Sequence, residues 1–233
     1  MVKKKNKKKI LIIGNGQHAK VVGSMIIDEN NLHLIGVLGT GIKNIYIKNS
    51  IFFEYKKKKI KYLGNLSNIK KIKFDQIIIA IGDNYLRKTL YKKILSLYKK
   101  TKINFAKIIS KNSKVSKNVK IGPGTVILDG SIINFNTIIG SNCLVNNSAS
   151  INHDNVIKDF ASLGPGVITG GNVEVGFNSH IGIGAVLKNN INIDENTIVG
   201  GGSYVNKNCK KNFIYYGVPA KPIRKRKKSE KYY

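Results

Sequence analysis

Tryptophan is absent from the 233 residues, cysteine occurs twice, proline four times, and only 12 residues are acidic. The two cysteines, Cys143 and Cys209, stand far apart and form no C-x-x-C pair. Neither a disulfide framework nor a zinc site is indicated, and reduced structural thiols are expected. Long apolar runs are also missing. The run Ile10 to Ile13 behind the basic N-terminus ends at Gly14, too short for a signal-peptide core. No stretch approaches the ~20 residues that span a bilayer, so a cytoplasmic location is expected.

The shortage of acid leaves 41 Lys and Arg largely unbalanced, for a formal charge of +29. Such a charge raises nucleic acid as a partner, because clustered cations neutralise phosphates and release counterions. Here Lys is spread through nearly every segment beside abundant Asn and Ile, and no helix-turn-helix, finger or RNA-recognition signature accompanies it. Dedicated nucleic-acid binding is therefore disfavoured, while the positive field favours anionic small ligands such as nucleotides and coenzymes. A hydrophobic content of 42% is enough to bury a core.

After a basic flexible tail over residues 1–9, "KILIIGNGQHAKVVGSMI" reads as a buried strand, a glycine turn and a helix starting near His18. "LHLIGVLG" (32–39) and "FDQIIIAIG" (74–82) read as further strands, and "FFEY" and "IKYLG" as edge strands in the irregular segment 41–73. In "NYLRKTLYKKILSLYKK" the residues Leu86, Leu90, Ile94 and Leu97 form one apolar stripe of a helix. Strands alternating with helices predict a small Rossmann-like α/β domain over 10–102.

From about residue 103 the pattern changes. Stepping by six from Val115 to Val205 meets an aliphatic residue at every position except Thr169, often with Gly directly after it. A helix needs a period of 3.6 and a two-sided strand a period of two, so a strict six predicts a parallel β-helix of hexapeptide repeats over 103–216. Three hexapeptides make one triangular turn, giving about five stacked coils with aliphatics along the axis. The interior is then packed, and chemistry has to sit outside, where a second surface such as a neighbouring subunit completes a pocket. A C-terminal basic segment follows over 217–233.

The segments "IIGNGQHAKVV", "AIGDNYLRK", "NHDNVIKDFASLGPG" and "YYGVPAKPIRK" together resemble the bacterial acyltransferases that modify sugars, a group that includes sialic acid O-acetyltransferases and the N-acetyltransferases of perosamine and UDP-N-acetylbacillosamine. The resemblance runs over nearly the whole chain in the same order. It implies a homotrimer of left-handed β-helices, acetyl-CoA in a groove between adjacent prisms, and an N-terminal domain that binds the sugar or its nucleotide. The activity it implies is transfer of acetyl from acetyl-CoA to the amino group of a nucleotide-linked amino sugar for surface glycan synthesis.

On that resemblance His153 is the general base and Asp154 the acidic neighbour that raises its basicity. The chemistry agrees with the residues, because a neutral imidazole accepts a proton near neutrality and an adjacent carboxylate orients the ring and stabilises imidazolium. No Ser or Cys adjoins His153 in a nucleophile motif, so direct transfer is expected rather than an acyl-enzyme. Gly171, in "TGGNV", matches the backbone donor to the oxyanion, although a glycine at such a turn has a structural reason of its own. Ser162, Ile183 and Gly201 match the acetyl-CoA groove, with Ser162 standing where relatives carry His. Asn146 matches a polar residue near the acceptor. Gly14, Gly16 and Ala19 satisfy G-x-G-x-x-A after a strand, and Gly16, Gln17, His18 and Gly82 are the expected sugar-nucleotide contacts. A dinucleotide site wants an acid at the end of the second strand, and Gly39 and Thr40 stand there, so NAD is disfavoured. His153 and His180 lack the third ligand of a zinc site, and no metal is expected. The rivals are O-acetylation of a sialic acid or related sugar, and a non-catalytic trimeric binding or scaffold protein.

Overall fold

A computed structural model describes residues 7–41, 47–98, 103–227 and 230. The expected basic tail falls mostly outside these residues, as does part of the irregular segment. The chain divides into two compact units, Met1–Gly82 with Thr89–Ile108, and Asp83–Lys88 with Ile109–Tyr233.

The first unit contains β1 (Lys8–Ile13), α1 (Gln17–Asp28), β2 (Leu32–Gly39), β3 (Ile51–Tyr55), β4 (Lys58–Asn65), a 3-10 turn (Leu66–Lys71) and β5 (Gln76–Ile79), and most of α2 (Asn84–Leu97). The sheet order is β3-β4-β2-β1-β5. Neighbours from β4 to β5 run parallel, and β3 alone pairs antiparallel. Ile10 to Ile13 are wholly buried in the middle of this sheet, as expected of a strand covered on both faces and therefore continuously apolar. Of the two segments expected at the edge, only "FFEY" is there. "IKYLG" forms β4, which lies inside the sheet because alternate residues Ile60 and Tyr62 bury against it and its backbone bonds β2 on one side and β3 on the other. In α2 the expected stripe is buried at Leu90 and Ile94 and half-buried at Leu86 and Leu97. Gly14 has φ +133°, and a Cβ there would stand 2.7 Å from the Ala80 carbonyl oxygen, so only glycine lets the turn after β1 pass this close to the end of β5.

In the second unit, pairs of two-residue strands stack at an interval of one coil, with Ile132 opposite Ser150 and Ile168 opposite Val186. They build a left-handed β-helix of three walls. The first wall has six strands from Lys114–Val115 to Tyr204–Val205, the second has five from Lys120–Ile121 to Asn192–Ile193, and the third runs from Ile108–Ile109 into the C-terminal hairpin of Phe213–Gly217 and Ala220–Lys225. Six strands in one wall exceed the five coils expected, because every third in-phase position from Val115 to Val205 falls on the first wall; Ile109, one step earlier, stands in the third wall and packs against the core. Aliphatic residues from Ile127 to Val205 form that core. Thr169 is fully buried among them, and its hydroxyl accepts the backbone N–H of Asn152 at 3.1 Å, which gives this buried polar group a partner.

The corners of the prism need left-handed backbone. Asn136, Asn142, Asn172, Asn178, Asn190 and Asn196 all have φ between 53° and 59°, the region that asparagine enters more readily than other side chains. The asparagine abundance of this half of the chain therefore has a local structural use.

Outward positions of the third wall are covered. Leu144, Ser162, His180 and Ile198 are buried, with Asn84 and Arg87 of the same unit bonded to Ser162. Arg87 is 2% exposed and donates to the carbonyls of Asn142 (2.8 Å) and Phe160 (3.1 Å), to Ser162 Oγ (2.9 Å) and to Asn84 Oδ1 (2.9 Å).

Candidate active site

His153 and Asp154 occupy the corner between Ser150–Ile151 of the first wall and Val156–Ile157 of the second. The buried side chain of Asn155 fixes this corner, its amide nitrogen lying 2.9, 3.0 and 2.9 Å from the carbonyl oxygens of Asn152, His153 and Gly170. Adjacent coils clamp it as well, since Asp154 N–H donates to Phe135 O (3.0 Å) and Asn172 N–H donates to His153 O (3.1 Å). A rigid corner is what a precisely placed base requires.

His153 Nδ1 lies 2.7 Å from Asp154 Oδ2. A carboxylate can only accept, so Nδ1 carries the proton and Nε2 presents a lone pair. The Asn136 amide and then His153 hold the Asp154 carboxyl below its ordinary range, which keeps it ionised beside the ring. The two side chains are 60% and 46% exposed, open to reactants.

Gly171 occupies the equivalent corner one coil further on. A Cβ there would stand 2.5 Å from His153 Cε1 and 2.7 Å from Nε2, so the missing side chain is what lets the ring lie where it does. Gly171→Ala is expected to leave the fold intact, because the exposed imidazole rotates away, and to lower kcat about 100-fold through misplacement of the imidazole. A thermal melt together with initial rates checks this, and an unchanged kcat would sink it.

Ile183 and Gly201 meet at a different corner, where a Cβ on Gly201 would stand 2.9 Å from Ile183 Cγ2, and Ile183 is exposed. That corner lies between His180–Ile181 of the third wall and Val186–Leu187 of the first. It therefore flanks the opposite edge of the first wall from His153, and one chain does not bring the two together. Ser162 is placed differently from the expectation: it is fully buried in the third wall, and its hydroxyl is engaged by Asn84 and Arg87. A serine in that environment completes a buried polar network and offers nothing to a coenzyme outside. Asn146 is half-buried and donates to Leu163 O at 3.2 Å.

In the first unit, Gly16 and Gln17 are exposed at the start of α1, with His18 half-buried beside them. Gly82 follows β5. Since β1 and β5 are adjacent and parallel, these turns lie at the carboxyl edge of the sheet, where open α/β sheets bind ligands.

His180 is buried. Burial first, then the Arg226 and Arg87 cations, push its pKa down to about 3. Burial likewise pushes the Cys143 and Cys209 thiols up to about 12. Among the described residues no three His, Cys, Asp or Glu side chains are grouped to hold a metal, and no helix is long and apolar enough to cross a membrane. Sequence reasoning missed Asn136, Asn155 and Arg87. For Asn136 the signal was present: positions 136, 154, 172 and 190 share one corner and read Asn, Asp, Asn, Asn.

The chain thus joins a Rossmann-like sheet to a hexapeptide β-helix that carries an exposed His–Asp pair at one corner. Residues 9–94 match the PglD N-terminal domain. PerB from Caulobacter crescentus, a GDP-perosamine N-acetyltransferase solved with CoA and GDP-perosamine, is 26% identical over 93% of this chain and 97% of its own, with a TM-score of 0.80. The acetyltransferase domain of PglB from Neisseria gonorrhoeae, solved with acetyl coenzyme A, shares the fold with a TM-score of 0.81 at 21% identity over 94% of this chain and 100% of its own. WeeI from Acinetobacter baumannii AYE shares it with a TM-score of 0.73 at 21% identity over 92% and 99%. Residues 9–94 thus carry a PglD-type N-terminal domain, and over nearly its whole length the chain is similar to sugar acetyltransferases that join such a domain to a left-handed β-helix.

Proposed function

We propose that the chain transfers the acetyl group of acetyl-CoA to the amino group of a nucleotide-linked amino sugar, with His153 as general base and Asp154 as its orienting partner. The observation that carries this reading is the 2.7 Å contact between His153 Nδ1 and Asp154 Oδ2 on an exposed corner. The likeness to PerB, at 26% identity over nearly the whole chain, supports acyl transfer to a sugar and favours an amine over a hydroxyl acceptor.

In the proposed step the acceptor nitrogen attacks the thioester carbonyl while Nε2 of His153 takes its proton. The resulting imidazolium, held by the Asp154 carboxylate, returns that proton to the departing CoA sulfur as the C–S bond breaks. Gly171, lying against the imidazole, supplies the backbone N–H for the oxyanion. Gly16, Gln17, His18 and Gly82 are the residues assigned to the nucleotide sugar, and Asn146 is assigned to the acceptor group.

Ile183 and Gly201 receive the coenzyme. Because their corner and the His153 corner flank opposite edges of the first wall, the reading requires that the coenzyme groove of one chain face the base of another. A homotrimer satisfies this, and the exposed Ile132 and Ile168 on that wall supply apolar surface for it.

Thiol release from acetyl-CoA, measured against UDP-linked 4-amino sugars, GDP-perosamine and their hydroxyl counterparts, tests the proposal. Turnover with an amino sugar and none with its hydroxyl counterpart is the expected result. Failure to bind acetyl-CoA at all would overturn it.

A further inference from the structure

Asp154 sits in a ladder. Asn136, Asp154, Asn172 and Asn190 occupy one corner in successive coils, all with left-handed backbone. Asn136 Nδ2 donates to Asp154 Oδ1 at 2.6 Å, and Asn172 Nδ2 donates to Asn190 Oδ1 at 2.9 Å, each amide passing a proton donor to the next coil. The rung that would run from residue 154 to residue 172 cannot form in this direction, because a carboxylate has no N–H to give. The oxygen that stands in place of that amide nitrogen, Oδ2, accepts from His153 Nδ1 instead.

We propose that Asn136 is a positioning residue for the base: by holding Asp154 Oδ1 it turns Oδ2 onto His153, and so fixes which ring nitrogen carries the proton. The inference rests on the reading of His153 as the base, and its geometry stands on the two bonds at Asp154 alone. Nothing else on the corner performs this task. Asn155 fixes the backbone of the turn, and Gly171 makes room for the ring, but among the described residues only Asn136 engages the carboxylate oxygen that faces away from the imidazole. The depressed Asp154 pKa has the Asn136 amide as its first cause, in agreement with that contact.

The consequence is specific to the asparagine substitution. In Asp154→Asn, Asn136 continues to donate to the oxygen in the Oδ1 position, so the new amide NH2 faces Nδ1. An NH2 can only donate, Nδ1 must then accept, and the ring proton moves to Nε2, where a base needs its lone pair. Removing Asn136 as well frees the amide to turn over and present its oxygen to Nδ1. Asn136→Gly is the suitable second change, since glycine keeps the left-handed φ of 57° at position 136 without strain. Asparagine at 154 keeps φ 58° equally well, so neither variant threatens the fold.

The test is long-range proton–nitrogen NMR on full-length protein with 15N-labelled histidine, at a pH well above the ordinary imidazole range, with the His153 resonances assigned by His153→Ala. No acceptor sugar is needed. Wild type is expected to show Nδ1–H, Asp154→Asn to shift the tautomer ratio about tenfold or more toward Nε2–H, and Asn136→Gly/Asp154→Asn to move it back toward Nδ1–H, on the scale of one hydrogen bond. Equal ratios in the single and double variants, or a wild-type ratio in Asp154→Asn, would overturn the proposal. Failure of the base reading shows separately, as acetyl transfer that survives His153→Ala while the tautomers behave as stated.

Discussion

His153→Ala is expected to lower kcat for acetyl transfer by about 10²- to 10⁴-fold, the range over which positioned general bases act. Its KM for acetyl-CoA is expected to change little, because the residues assigned to the coenzyme, Ile183 and Gly201, lie at another corner of the prism. The fold should be untouched, since the His153 side chain is 60% exposed and the corner is held by backbone bonds and by Asn155, none of which uses the imidazole. Initial rates with the acceptor that wild type turns over, alongside a thermal melt, measure both. A variant that melts like wild type and retains its kcat would show that the transfer proceeds without this base. The non-catalytic scaffold reading makes a different forecast, that wild type and variant bind acetyl-CoA alike and neither releases thiol.

The second large effect is loss of stability in mild acid, and His180 is its source. The folded-state pKa of this buried ring is about 3, against 6.5 ordinarily. The unfolded chain therefore binds a proton between pH 6.5 and 3 that the folded chain excludes. Stability is full above pH 6.5 and falls as the pH drops through that window, by about 1.4 kcal/mol per unit. From pH 6.5, where the unfolded ring is already half protonated, to pH 4.5 the expected loss is about 2 kcal/mol, a large part of the ~5–15 kcal/mol that holds a typical domain together. The cause is physical: an imidazolium at this place would sit out of water beside Arg87 and Arg226. Urea unfolding of wild type and His180→Gln at both pH values isolates the effect, because the variant cannot titrate. Asp154 and Glu230 also have depressed values, the latter about 2. Their windows lie below the ordinary carboxylate range, and both proteins share them. Parallel losses in the two proteins would assign the acid sensitivity elsewhere.

Much of this architecture was legible because the β-helix writes itself in sequence. Each coil repeats one contact environment, so the six-residue period from Val115 to Val205 states the fold directly, and even Thr169 breaks the pattern only in polarity. The period could not show where the phase stops being obvious. Ile109 extends it by one step, into the third wall. In the first unit β1 and β2 were plain as apolar runs. The place of β4 was not, because a strand with one buried face reads the same at an edge as inside a sheet until its partners are known.

For the candidate site the division is similar. His153 and Asp154 stood out as chemistry inside a scaffold repeat, and their adjacency in sequence gave their pairing in space. Ser162 misled, because its neighbour Asn84 is 78 residues away and no local pattern shows that its hydroxyl is spent in a buried network. Sequence by itself determined the period, the core and the pairing of His153 with Asp154, since these depend on residues repeated or adjacent along the chain. Only the tertiary structure decided which wall is covered, that the two candidate corners of one chain do not meet, and that Asn136 holds Asp154, since each depends on contacts between coils or segments that the one-dimensional order keeps apart.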